Sequence, residues 1–205
     1  MSATRRIVVV SAGLGQPSST RLLADRLVTA TVDALLEHGL EAQVDVVELR
    51  DQAHDLGNTL LTGFPTGGVR AAVDTITSAD GVIAVTPVYQ GSYSGLFKTF
   101  FDVLAPDVLK GTPVLMAATG GTARHSLMLE FAMRPLFAHL KASPLVTAVF
   151  AASEDWGTAG PSDHSLAARI GRAGEELAAA AAARVSSGPI DPFADPVSFE
   201  DLLST

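Results

Sequence analysis

The sequence predicts an α/β fold, a three-layer sandwich in which one five-stranded parallel sheet lies between two layers of helices. Apolar runs of four to eight residues recur near 6–11, 43–49, 81–86, 112–119 and 145–151. They are continuous rather than alternating, the pattern of strands buried on both faces. Longer segments of helical period separate them, at 18–38, 68–78, 94–104, 124–141 and 163–186, and supply the crossovers that parallel strands require. A length of 205 residues with 47% hydrophobic content suits one domain with a full core.

The elements follow in order. The first strand, carried by Ile7 to Val10, enters Ser11-Ala12-Gly13-Leu14-Gly15-Gln16-Pro17-Ser18-Ser19-Thr20. Ser18 and Ser19 mark a helix start, and Gly39 stops that helix. After the second strand, Asp51 to Gly68 holds Gly57, Gly63, Pro65, Gly67 and Gly68 with little periodicity, and reads as a long connecting loop. The third strand, Gly81-Val82-Ile83-Ala84-Val85, runs into TPVYQGSYSG at 86–95, with Ser94 as the cap of the next helix. The fourth strand ends in Thr119-Gly120-Gly121-Thr122, and Ser162-Asp163 after Pro161 opens the last helix. Five βα units in this length favour the strand order 2-1-3-4-5 over a six-stranded dinucleotide fold. Residues 1–186 form the domain. The tail at 187–205, with three prolines and six scattered apolar side chains, is expected to pack on the domain or on a neighbouring subunit.

Composition narrows function. Fourteen basic against 22 acidic residues give a net charge of −8, so the basic footprint of a nucleic-acid or anionic-membrane partner is missing. The absence of cysteine excludes thiolate nucleophiles, thiolate metal sites and dithiol chemistry, so a redox role needs a borrowed cofactor. No signal-type stretch precedes the first strand and no apolar run reaches the length of a membrane span. The expected location is the cytoplasm. His38, His54, His139 and His164 are dispersed without ligand spacing, and no metal site is expected.

Two strand-ends carry chemistry. In the first, Ser11, Ser18, Ser19 and Thr20 can surround a phosphate with hydroxyls and with the free N–H groups of a helix start. A P-loop would need Gly-Lys-Ser/Thr, and a dinucleotide fingerprint would need glycine where Ser18 stands. A monophosphate ester suits the turn better; a plain helix cap is the bland alternative. In the second, Tyr89 and Tyr93 can lie against a flat ring while Val88, Gln90 and Gly91 offer hydrogen bonds to its edge. An ordinary polar turn is the alternative there. Arg124 and His125, beside the fourth strand-end, can meet the phosphates of a pyridine nucleotide, or else face solvent.

TPVYQGSYSGLFKTFFDVL at 86–104, with SSTRLLADRL upstream and ATGGTARHSLMLEFAMRPLFAHL downstream, resembles the NAD(P)H-dependent FMN reductase family of flavodoxin-like proteins. The likeness spans residues 6 to 160 and is nearest to reductases that supply reduced flavin to two-component monooxygenases. It implies a flavodoxin-like sandwich. It also implies that Ser11, Gln16, Ser18, Ser19 and Thr20 hold the FMN phosphate. Pro87, Val88, Tyr89, Gln90 and Ser92 would then lie along the isoalloxazine, and Thr119, Gly120, Gly121 and Thr122 would meet its other edge. Hydride would pass from NADPH or NADH to flavin N5, with no catalytic side chain. A flavin-dependent monooxygenase is the implied partner and a homodimer or homotetramer the implied assembly. The chain departs from some sulfonate-system members at Glu130-Phe131-Ala132-Met133-Arg134-Pro135, where they carry a tyrosine. Gln90 likewise stands where Lys or Asn is frequent. A quinone or azo reductase that keeps FMN bound, a flavodoxin-type electron carrier, and an NAD-binding protein without flavin are the rival readings.

Overall fold

The computed structural model describes residues 3–157 and 164–184. Its long strands are β1 (Thr4–Ser11), β2 (Glu41–Glu48), β3 (Gly81–Tyr89) and β5 (Pro113–Gly120), with three short ones, β4 (Ser92–Tyr93), β6 (Ser143–Pro144) and β7 (Val149–Ala152). The helices are α1 (Ser19–Glu37), α2 (Ala53–Thr62), α3 (Gly67–Thr77), α4 (Gly95–Asp102), α5 (Arg134–His139) and α6 (Leu166–Ala183).

The parallel order is β2-β1-β3-β5, with β6 and β7 both lying against β5 as two pieces of one edge strand. Counted by its five strand positions, this is the order 2-1-3-4-5 read from the sequence. Residues alternate across the sheet into two cores. Val8 and Val10 join Phe97, Phe101 and Phe137 on one face, while Ile7 and Val9 join Leu23, Leu27 and Leu177 on the other. On that second face α6 packs tightly on α1, because a Cβ at Gly174 would stand 2.7 Å from the Ala30 Cβ and 2.9 Å from the Thr31 nitrogen. Gly39, at φ +72, takes the left-handed turn that releases the chain from α1.

Three expectations are corrected. Residues 51–68 are not a loop: a 3-10 turn at Leu49–Gln52 leads into α2, which buries Leu56 and Thr59 and ends at a left-handed Gly63. Gly63 ends α2 and Gly67 opens α3, while Gly57 lies inside α2. The single helix expected at 124–141 is a 3-10 turn at Ala123–His125, a π-helical turn at Leu129–Met133 and then α5. Pro135 lacks the N–H that would close an α-helical bond on Phe131, and the Arg134 N–H reaches back to the Leu129 carbonyl. The fifth strand is interrupted at 145–148. There, Glu176 accepts from the Val146 and Thr147 N–H groups at 2.8 and 2.9 Å, and Arg134 donates to the Leu145 carbonyl at 2.7 Å. The last helix is capped by Ser165, whose hydroxyl accepts from the Ala168 N–H. Ser162-Asp163 and the tail at 187–205 lie outside the described residues.

Candidate functional site

The carboxyl ends of β1, β3 and β5 are neighbours, so the three turns that follow them meet at one edge of the sheet, where open α/β sheets bind ligands. The first turn is tied to β3 by the Ala12 N–H, which donates to the Val85 carbonyl at 3.0 Å. Ser18 caps α1, its Oγ accepting from the Arg21 N–H at 3.2 Å. This leaves the N–H groups of Ser19 and Thr20 without an intrahelical partner, at the positive end of the helix dipole. A Cβ at Gly13 would stand 2.2 Å from the Ser18 Oγ, so a side chain there would displace the hydroxyl that caps α1. Thr20 Oγ1 and Thr119 Oγ1 share a buried hydrogen bond of 2.9 Å that joins the first turn to the third.

The second turn is a hairpin. Val88 and Tyr89 pair with Tyr93 and Ser92, and Gln90 and Gly91 form its tip at φ 50 and 81, the two positive values of a type I′ turn. Thr86 Oγ1 accepts from the Ser94 N–H at 3.0 Å, and Ser94 Oγ caps α4 by accepting from Phe97. Tyr93, half-buried, lies against Phe97 with ring centroids 5.8 Å apart and does not line the cleft. In the third turn Gly120 passes under Phe150, whose ring carbon would meet a Cβ at 2.8 Å.

Together the turns enclose an open cleft of about 380 Å³. Of the residues singled out in the sequence, Ser18, Ser19, Thr20, Pro87, Val88, Tyr89, Thr119, Gly120 and Gly121 line it. The others stand elsewhere. Ser11 is buried behind the first turn, with its hydroxyl unpartnered. Gln16 faces the outer side of that turn, where it lines a separate hollow with Arg50. Gln90 and Ser92 sit at the hairpin's outer end, and Thr122 caps the next 3-10 turn. Arg124 and His125 border a smaller hollow of about 260 Å³ with Gly91 and Phe131.

Sequence reasoning missed the wall after the fifth strand. Ala151, Ser153 and Trp156 complete the cleft, and Arg26 from α1 lies over the Trp156 ring at 5.1 Å. Asp155 holds this turn by accepting from the Ala152 N–H at 2.8 Å and from Arg169 at 2.9 Å. A lone tryptophan four residues past a strand-end was the available signal.

The donor set fits a flavin mononucleotide. One end offers hydroxyls and helix-start N–H groups to a phosphate, and the other offers Pro87, Val88, Tyr89 and the bare backbone of Gly120-Gly121 to a flat ring. Among the described residues no lysine, arginine, carboxylate or imidazole lines the cleft.

The model of the NADPH-dependent FMN reductase family matches residues 5–157. The chain belongs to this family. An FMN reductase (NADPH) of Pseudomonas aeruginosa is 39% identical over 178 residues, covering 87% of this chain and 93% of that one. An NADH-dependent FMN reductase, SfnE, of Pseudomonas putida is 38% identical over 175 residues, covering 85% and 91%. Among solved structures, an oxidoreductase from Corynebacterium diphtheriae superposes with a TM-score of 0.85 at 40% identity, covering 90% of this chain and all of that one. The apo form of the NADH:FMN oxidoreductase EmoB superposes at 0.74 with 28% identity, covering 90% and 92%. The family is one of flavodoxin-like oxidoreductases that use FMN and reduced nicotinamide nucleotide, as the turns suggested. Among the described residues no helix is long and apolar enough to cross a membrane.

Proposed function

We propose that the protein reduces FMN with NADPH or NADH and passes reduced FMN to a flavin-dependent monooxygenase. The observation that carries this reading is the cleft itself, in which three turns put an anion-binding end and a flat apolar end on one wall. FMN, when bound, supplies the hydride-accepting ring atom N5, and this is why no side-chain acid or nucleophile is needed. The protein's part is positional. The Ser19 hydroxyl and the start of α1, which Ser18 caps, hold the phosphate, while the Thr20–Thr119 bond fixes the distance between the phosphate end and the ring edge. Tyr89 and Trp156 wall the remaining sides, keeping one ring face open to nicotinamide. Arg124 and His125, exposed beside the hairpin tip, are the side chains that would meet a dinucleotide's phosphates.

Oxidation of NADH and NADPH, followed with and without added FMN, tests the reading. Turnover that depends on added FMN and saturates near micromolar concentration, about −8 kcal/mol of binding, is expected. Quinone turnover without added FMN on a tightly held yellow cofactor would instead mark a flavin-retaining quinone reductase. FMN binding with negligible nicotinamide oxidation would mark an electron carrier.

A further inference from the structure

The first turn has an outer side, and a residue from β2's end governs it. Arg50 follows the fully buried Leu49 in the 3-10 turn after β2. Its guanidinium donates to the Gly15 carbonyl at a long 3.5 Å and to the Gln16 side chain. A guanidinium only donates, so the Gln16 amide presents its oxygen, with Nη1 at 2.8 Å. The hollow that holds these groups, about 370 Å³, shares Gly15 and Ser18 with the flavin cleft, whereas Arg50 and Gln16 line the hollow alone.

This hollow is not a second anion site. Arg50 is paired with Asp51 at 3.3 Å, and Arg21 with both Asp25 and Glu48 at 2.7 Å, so its cations are already matched by carboxylates. What Arg50 controls is direction. A turn that receives an anion must aim N–H groups inward and carbonyls outward, because a carbonyl oxygen facing a phosphate repels it. Gly15 has no side chain with which to fix its own peptide.

We propose that Arg50 is a positioning residue for phosphate recognition: by gripping Gly15 and Gln16 from outside, it keeps the first turn's carbonyl away from the bound phosphate. The inference rests on the FMN reading above. Trp156, the chain's one tryptophan, lines the cleft, and its quenching reports binding directly, without turnover. Titrations with FMN and with riboflavin, which lacks the phosphate, compare wild type with Arg50→Ala, Gln16→Ala, the double variant and Arg50→Lys. Arg50→Ala should weaken FMN about tenfold and leave riboflavin unchanged. Gln16→Ala should weaken FMN in the same direction by less, and the double variant should be no weaker than Arg50→Ala. Lysine, a point charge without the planar fork, should leave most of the loss in place. Unchanged FMN affinity in Arg50→Ala overturns the proposal, as does an equal loss for riboflavin or full additivity in the double variant. Because Gln16 is an exposed side chain, its variant keeps the test open should Arg50→Ala fail to fold. Failure of wild type to bind FMN would strike the flavin reading itself, and shows before any variant is made.

Discussion

Ser19 is the first residue of α1 and stands on the cleft wall with Ser18 and Thr20, but the three hydroxyls do different work. Ser18 is committed to the helix cap and Thr20 to Thr119, which leaves Ser19 free to face a ligand's charge. Ser19→Ala should therefore weaken FMN about tenfold, the loss of one charged contact worth about 1.4 kcal/mol, without lowering the unfolding midpoint. An unchanged titration would remove Ser19 from the phosphate site. The wall was legible where the cleft-lining groups are consecutive, as in Ser18-Ser19-Thr20 and Pro87-Val88-Tyr89, since local spacing then fixes their direction. It was illegible where a residue arrives from a distant element. Arg50 and Trp156 come from the ends of β2 and β7, and nothing in their own neighbourhoods says that the sheet order brings them to the first turn. The outward direction of Gln16 and Gln90 was hidden for a related reason: a turn's hydrogen bonds, not its composition, decide which side chains point in.

At the scale of elements, strands buried on both faces were read to within three residues, because a parallel sheet demands continuous apolar runs and the chain supplies them at β1, β3 and β5. Helices were read less well wherever side chains override local pattern. The glycines of 51–68 suggested a loop, yet Leu56 and Thr59 find a buried face and form α2 around Gly57. The break in the fifth strand depends on Glu176, which belongs to α6 and lies 29 residues beyond Thr147. Burial raises the pKa of this carboxyl, but hydrogen bonds from the Thr147 side chain and the Thr147 and Val146 N–H groups outweigh burial and hold it below its ordinary value. The folded pKa thus lies under the unfolded one, about 4.3. The stabilisation is present above that pH and is lost as pH falls through the folded value. Glu176→Gln should cost about 1 kcal/mol at neutral pH, allowing for solvent screening. The gap between variant and wild-type urea midpoints should close below about pH 4; a gap independent of pH would mean that shape, not charge, holds the detour.

At the scale of the whole molecule, one sheet edge collects everything the chemistry needs, and the field around it runs the other way. The net charge is −8, no cationic side chain among the described residues lines the cleft, and Arg21 and Arg50 are each paired with carboxylates. On the proposed FMN reading the attraction for phosphate is short-ranged, built from N–H groups, hydroxyls and a helix dipole, whereas the repulsion that an anionic flavin meets on approach is long-ranged. Salt separates the two. Raising ionic strength from about 0.01 M to about 0.1 M shortens the Debye length from about 30 Å to about 10 Å, screening the distant charges while leaving contacts within the cleft nearly intact. The association rate of FMN, followed by stopped-flow quenching of Trp156, should then rise about two- to threefold over that range, and that of uncharged riboflavin should stay constant. A rate for FMN that falls with salt would reverse the argument: it would mean that the start of α1, with Arg21 and Arg50 behind it, projects a positive field past the protein's surface and steers the flavin in.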